Sequence, residues 1–328
     1  MADLPEDRVE SSTPFSFSAM DCFGPFLTKK NRKEFKRYGL LFTCLCSRAV
    51  HIEFLDDLTT DAFINGLRCF IAIRGKVRQI RSDQGSNFVG AKNELSAALK
   101  ELDKERLSSY LANRDCDFLM NVPYSSHVGG VWERQIRTIR SVLGVVVGLC
   151  PSRLDDSSLR TLFYEVMAIV NSRPLTVDTI NDPTSLEPLT PNHILTMKPS
   201  TPLPPPGKFV PQDMYLRKRW RRVQYLTEQF WCRWRMEYLQ NLNRRQCWIK
   251  PRRNITVGDI VLLMEPEVAR NKWPMGIVVD STMGKDGLVR KVKVRVGAKN
   301  LNNLGIREGK QTILERPVQK LVCLVESK

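Results

Sequence analysis

The sequence predicts an α/β sandwich around a mixed sheet, followed by a long basic helix and a small β-barrel. Three observations predict it. Up to Asn171, strand-like runs come three in a row and then alternate with helix-like ones. A proline-dense stretch from Pro199 to Pro211 then divides the chain, because proline removes backbone donors and favours extended chain. Beyond it, one amphipathic stripe gives way to β-rich runs spaced by turns.

In chain order, residues 1–14 read as a disordered N-terminus and 15–198 as the first domain. Ser16 to Asp21 is a short strand ending in an acid. Tyr38 to Cys46 and Ala49 to Phe54 form a hairpin around Ser47-Arg48. Thr59 to Ile73 has Phe63, Leu67, Phe70 and Ile71 at helical spacing, with a threonine cap. Lys76 to Arg81 is a strand that delivers Asp83, and Asn87 to Leu102 is a helix. Asp117 to Val122 is a strand, Gly130 to Gly148 a helix, and Asp156 to Asn171 a helix stopped by Arg173-Pro174. Residues 199–212 are a Pro-rich linker and 213–253 a basic helical segment. In that segment Leu216, Trp220, Val223, Thr227, Phe230 and Trp234 line one stripe of a helix from Asp213 to Leu242, and Trp231 falls off it. Residues 254–328 hold strands at Asp259–Met264, Trp273–Asp280, Leu288–Val296 and Leu321–Val325, enough for a small barrel.

Charge narrows the function. The chain has 328 residues and a net charge of +16, from 51 Lys+Arg against 35 Asp+Glu. Residues 1–200 hold 25 basic and 24 acidic side chains, and residues 201–328 hold 26 and 11. A half this basic attracts a polyanion, nucleic acid before an acidic membrane surface. The longest apolar run, Val142 to Cys150, is too short to span a bilayer, and the acidic N-terminus is unlike a signal peptide, so no membrane partner is expected. Nine scattered cysteines without a CxxC read as reduced thiols, and three separated histidines argue against a structural zinc site.

Three acids stand where chemistry would need them. Asp21 lies in Met20-Asp21-Cys22-Phe23-Gly24-Pro25, and Asp83 in Arg81-Ser82-Asp83-Gln84-Gly85-Ser86-Asn87-Phe88. An acid at a strand end before a glycine turn points into the cleft at a sheet edge, or else caps the next helix. Glu133 falls in the first turn of the helix opened by Gly129-Gly130, with Arg137 and Arg140 on its face. That row is either simple helix-surface ion pairing or a metal ligand beside a phosphate track. Three carboxylates brought together repel unless a cation sits among them, and hard oxygen ligands suit two Mg²⁺ or Mn²⁺ ions.

These motifs, with His127-Val128-Gly129-Gly130-Val131-Trp132-Glu133-Arg134 and Leu189-Thr190-Pro191-Asn192-His193, resemble the catalytic core of retroviral-type integrases, most closely those of Bel/Pao-type LTR retrotransposons. The second half resembles the C-terminal domain that follows such cores, through Arg219-Trp220-Arg221-Arg222-Val223-Gln224-Tyr225-Leu226, Gln229-Phe230-Trp231, Val257-Gly258-Asp259 and Arg316-Pro317-Val318. The resemblance implies a ribonuclease-H-like core and an SH3-like barrel, with Asp21, Asp83 and Glu133 as catalytic and metal-binding triad. Asp115 and Asp117 are rival third ligands without a Gly-Gly helix opening. It implies a Mg-dependent DNA integrase of a transposable element, acting in the nucleus as a homo-multimer on element ends and target DNA. From its place near the entry to the Glu133 helix, His127 orients substrate or the Glu133 loop, or else is structural. By charge, Arg217, Lys218, Arg219, Arg221, Arg222, Arg244, Arg245, Arg252 and Arg253 would join Arg137 and Arg140 in binding DNA, the other uses of the cluster being a solvated helix or a nuclear-import signal. The alternatives are a domesticated, catalytically silent DNA-binding scaffold and a ribonuclease-H-type nuclease, the latter lacking its usual fourth acid.

Overall fold

The computed structural model describes residues 10, 12–82, 117–120, 130–177, 188–198, 205–216, 218–242, 253–265, 268–297, 300–301, 307–308 and 311–327. The chain forms two compact units: Met1–Asn171 with Pro205–Trp231, and Ser172–Pro204 with Cys232–Lys328. Residues 172–204 therefore go with the second unit, and 205–231 with the first.

In the first unit, β1 (Phe17–Lys30), β2 (Lys33–Cys44), β3 (Val50–Leu55), β4 (Gln79–Ser82) and β5 (Asp117–Met120) make one sheet in the order β3-β2-β1-β4-β5. β1, β2 and β3 run antiparallel, while β4 is parallel to β1 and β5 parallel to β4. This is the mixed sheet that three successive strands followed by alternation predict.

The first hairpin is longer than its sequence announces. β1 continues past Asp21 to Lys30 and turns back through Asn31 and Arg32, both at positive φ. Its outer half carries too many charges to read as strand. The register shifts between Phe23 and Phe26, where Gly24 sits at φ +132, a conformation open to glycine. Thr28 and Arg37 of the extended arms both bind Asp156, at 2.6 Å from Thr28 Oγ1 and 2.9 Å from each of two Arg37 nitrogens.

Helices cover both sheet faces. On one, α1 (Thr60–Arg74), capped by the Thr59 hydroxyl, stacks Phe70 flat on Phe42 at 3.8 Å between ring centroids. On the other, α3 (Asp156–Val170) sets Phe163 against Phe23, Phe26 and Phe54. The same side receives α2 (Gly130–Gly148), which buries Ile136, Ile139, Leu143 and Val146. By sequence spacing those four form one apolar stripe of that helix together with Trp132. Past the end of α3, the Asn171 amide takes the Val50 N–H and gives to its C=O, both at 2.8 Å, closing part of the outer edge of β3.

The second unit carries the short β6 (Thr176–Val177), β7 (Pro188–Leu189) and α4 (Pro191–Thr196). Its main sheet is antiparallel, in the order β13-β10-β9-β8-β14. The strands are β8 (Ile260–Leu263), β9 (Met275–Met283), β10 (Val289–Val296), β13 (Thr312–Pro317) and β14 (Leu321–Val325). A small pair, β11 (Asn300–Leu301) with β12 (Arg307–Glu308), intervenes. A 3-10 turn, Val318–Lys320, separates β13 from β14, which crosses to pair with β8. β13 is absent from the sequence-predicted strands because half its residues are polar and all six remain at least partly exposed.

The predicted helix from Asp213 to Leu242 is in fact two pieces. A 3-10 turn, Pro211–Tyr215, ends at extended Leu216, and α5 runs from Arg219 to Leu242. The break follows from Asp213: its carboxylate accepts from the Val210 N–H at 2.9 Å and from Arg221 at 2.7 Å, closing a local loop. The stripe itself is real from Val223 onward. Phe230 and Trp234 are buried as expected, and so is Trp231, whereas Leu216 and Trp220 are exposed rather than core. The sequence-predicted helix Asn87–Leu102 lies outside the described residues. Among the described residues no helix is long and apolar enough to cross a membrane.

Candidate active site

Asp21 stands in β1, the middle strand of the first sheet, opposite Leu41 of β2. Alternation along the strand puts it on the face shared with Phe23, under α2 and α3. Arg140 of α2 forms an ion pair with the Asp21 carboxylate and donates to the Cys22 carbonyl at 3.1 Å. Both side chains are partly accessible, 28% for Asp21 and 15% for Arg140. The neighbouring Cys22 thiol is pushed up to about 12, by burial first and the Asp21 charge second, so it is no nucleophile at neutral pH.

On the other side of β1, Met20 pairs with Ser82 of β4, and Ser82 pairs with Met120 of β5. Asp83 follows Ser82 by one peptide bond and lies outside the described residues, as does His127. Asp115 is also outside them, and Asp117 opens β5 opposite Gln79, at the far end of the strand from Met120. Position 133 falls in the first turn of α2. Positions 133, 137 and 140 share one helical face, with 133 two turns, about 10 Å, before 140. Position 133 thus lies on the same helical face as Arg140, the residue that meets Asp21. Among the described residues no three His, Cys, Asp or Glu side chains gather as a metal site. Asp83 and the Glu133 side chain lie outside that comparison.

The basic residues read from the sequence divide into several environments. Arg137 and Lys218 are exposed. Arg219 is exposed and lies 3.3 Å from Asp155. Arg221 is committed to Asp213, and Arg222 donates to the Leu216 carbonyl at 3.3 Å. Arg253 is an internal clamp: it grips both oxygens of buried Asp259, at 3.0 and 3.1 Å, and donates to the Thr256 hydroxyl and the Ser327 carbonyl. Against burial that would raise it, hydrogen bonds from Arg253 and from the Ser327 and Thr256 amides hold Asp259 at about 2. Arg217, Arg244, Arg245 and Arg252 lie outside the described residues.

One polar constellation was not singled out in the sequence. His51 and Glu53, two apart on β3, are buried with His51 Nε2 2.6 Å from Glu53 Oε1, and Arg74 Nε donates to His51 Nδ1 at 3.1 Å. An acceptor at Nδ1 requires the proton on Nε2, so the ring is the neutral Nε2–H tautomer. Burial, above all, pushes the His51 pKa below its ordinary value. The period-two pair in Val50-His51-Ile52-Glu53 was the available signal. Only the fold brings Arg74 to it.

Residues 218–324 match a family described as a family of unknown function (DUF5641). No curated protein matches the chain. Among solved structures, the chain is similar to one in the simian T-cell lymphotropic virus intasome in complex with the PP2A regulatory subunit B56 gamma. That match has 12% identity and a TM-score of 0.36, over 100% of this chain and 85% of that one. It is also similar to the HTLV-2 integrase catalytic core domain in complex with magnesium, at 15% identity and a TM-score of 0.35, over 56% of this chain and 97% of that one. The catalytic core domain of BIV integrase matches at 18% identity and a TM-score of 0.33, over 56% and 95% of the two chains.

Proposed function

We propose that the chain is an integrase-type polynucleotidyl transferase of the Bel/Pao retrotransposon kind. It trims the 3′ ends of element DNA and joins the exposed hydroxyls to target phosphodiesters, in the nucleus and as a multimer. The observation that carries this reading is the placement of Asp21. It lies on the central strand of a β3-β2-β1-β4-β5 sheet, beside the strand that leads into Asp83, under the α2 face that bears Glu133. That strand order, with three antiparallel strands and two parallel ones, supports a ribonuclease-H-like core. The 3-10 turn before a last strand that crosses back to the first supports an SH3-like second module.

Asp21, Asp83 and Glu133 are the residues that would hold Mg²⁺ or Mn²⁺. Asp21 fits that role because its carboxylate is accessible and already attracts a cation, the Arg140 guanidinium. When bound, such ions activate an attacking hydroxyl and stabilise the leaving oxygen. The chain's own residues orient the site. Helix side chains lean toward the N-terminus, so Arg140 meets Asp21 at a level nearer to position 133 than its own Cα is. Arg137, exposed between them, is available to a DNA phosphate.

One observation favours a second reading, a DNA-binding scaffold without turnover: Arg140 neutralises Asp21 where a metal would be needed. The experiment is to give the purified chain labelled terminal-repeat DNA with Mg²⁺, beside Asp83→Asn and Glu133→Gln. Mg-dependent product from the wild type alone is expected. Equal product from all three overturns the triad. No product with DNA binding intact selects the scaffold.

A further inference from the structure

We propose that Trp220, backed by Phe209 and Arg221, forms a stacking shelf for unpaired nucleotides of a nucleic-acid strand. This rests on the nucleic-acid reading above and adds the state of the strand that is recognised. Trp220 is 51% exposed and Tyr215 77% exposed, with Leu216 between them at 42%. At the start of a helix whose later stripe is buried, Trp220 thus leaves about half its surface to solvent.

Its posture is nevertheless fixed from behind. The Trp220 ring meets Phe209 edge to face at 5.9 Å between centroids. The Arg221 guanidinium lies over both rings, 5.3 Å from the Phe209 centroid and 5.5 Å from that of Trp220. Arg221 is in turn held by both Asp213 oxygens, at 2.7 and 3.1 Å, and by the Lys208 carbonyl at 2.9 Å. Asp213 itself is buried and anchored on the Val210 amide. The ring is thus pre-oriented before any ligand arrives, which spares ordering entropy on binding.

The charge around the shelf selects the occupant. Asp213 is the single acid between Lys208 and Arg222, and Arg221 already neutralises it. Exposed Lys208 and Lys218 remain for phosphates, and exposed Arg219 shares its charge with Asp155 at 3.3 Å. An exposed aromatic amid surplus cations suits a strand whose bases are free to stack and whose backbone carries negative charge. A blunt duplex keeps its bases stacked internally and offers this shelf only its phosphates.

The test measures anisotropy of labelled oligothymidylate, oligouridylate and a blunt DNA duplex with the full chain and with Trp220→Ala, Trp220→Phe and Tyr215→Ala. Trp220→Ala is expected to weaken single-strand binding about ten-fold and to leave the duplex within about two-fold, with Trp220→Phe recovering most of the loss. Loss on either oligomer or on both supports the shelf. An unchanged single-strand affinity, or equal losses on single strand and duplex, overturns it. A change confined to self-association by size exclusion also overturns it, because the ring would then be a protein contact. Binding by the wild type tests the broader reading separately: if neither single strand nor duplex binds, the nucleic-acid assignment fails, whatever Trp220 does.

Discussion

Asp21 and His51 show two ways of managing a polar side chain in the same sheet. Asp21 stays within reach of solvent and takes a cation, while His51 is buried and satisfied by neighbours of opposite charge. On the integrase reading proposed above, Asp21→Asn would replace a metal-holding carboxylate by a neutral amide, so strand transfer with Mg²⁺ should fall about a thousand-fold while DNA affinity stays intact, as read by product yield against anisotropy. His51 predicts a pH effect. The groups around it are Glu53, Arg74 and the rings of Phe15, Phe42 and Phe70. Its pKa in the folded chain lies below the ordinary 6.5, so between the two values the unfolded chain holds the extra proton. Stability is full above about 6.5 and declines as pH falls toward the folded value. Urea midpoints at falling pH should show this, and His51→Gln should flatten the dependence.

At the scale of elements, close approach decides more than propensity does. Gly39 in β2 leaves room for the Phe23 ring: a Cβ there would lie 2.4 Å from two of its atoms. Gly39→Ala should cost about 1–3 kcal/mol in urea unfolding, since the ring has α3 behind it and little space to retreat. Asn171 closes β3 from outside, and Asn171→Ala would leave the buried Val50 amide unsatisfied, at about 1–3 kcal/mol. Faster hydrogen exchange at Val50 checks that. Helix starts were legible at this scale, because caps such as Thr59 and Asp155 are local. The division of the predicted 213–242 helix was not, since it depends on Asp213 meeting Arg221.

For the molecule as a whole, the excess of cations after residue 200 is the main lever on partners. Duplex affinity should fall steeply between low and physiological salt, and Lys218→Ala with Arg219→Ala should reduce the log–log slope by about two. The single Arg219–Asp155 contact does not alter that expectation, as an exposed pair is worth little. Arg253 shows why counting cations overstates the binding surface: it was read as a DNA contact, yet it holds Asp259 and the C-terminal Ser327 together.

Much of this protein is written in short-range pattern. The succession of most strands and helices along the chain, the stripes of α1 and α2 and the threonine cap of α1 follow from spacings of two, three and four residues, and these act before any distant segment arrives. The candidate triad was visible as three local motifs, although Asp21 lies within β1 rather than at the strand end that its sequence suggests. Tertiary contact alone determined which charges spend themselves internally: Arg140 on Asp21, Arg221 on Asp213, Arg253 on Asp259, Arg74 on His51. Burial alone separated exposed Trp220 from buried Trp231. Arg140 meets Asp21 and Arg74 meets His51 across long stretches of chain. Arg221–Asp213 and Arg253–Asp259 need a particular loop shape between residues eight and six apart, and helix or strand periodicity encodes neither kind of contact.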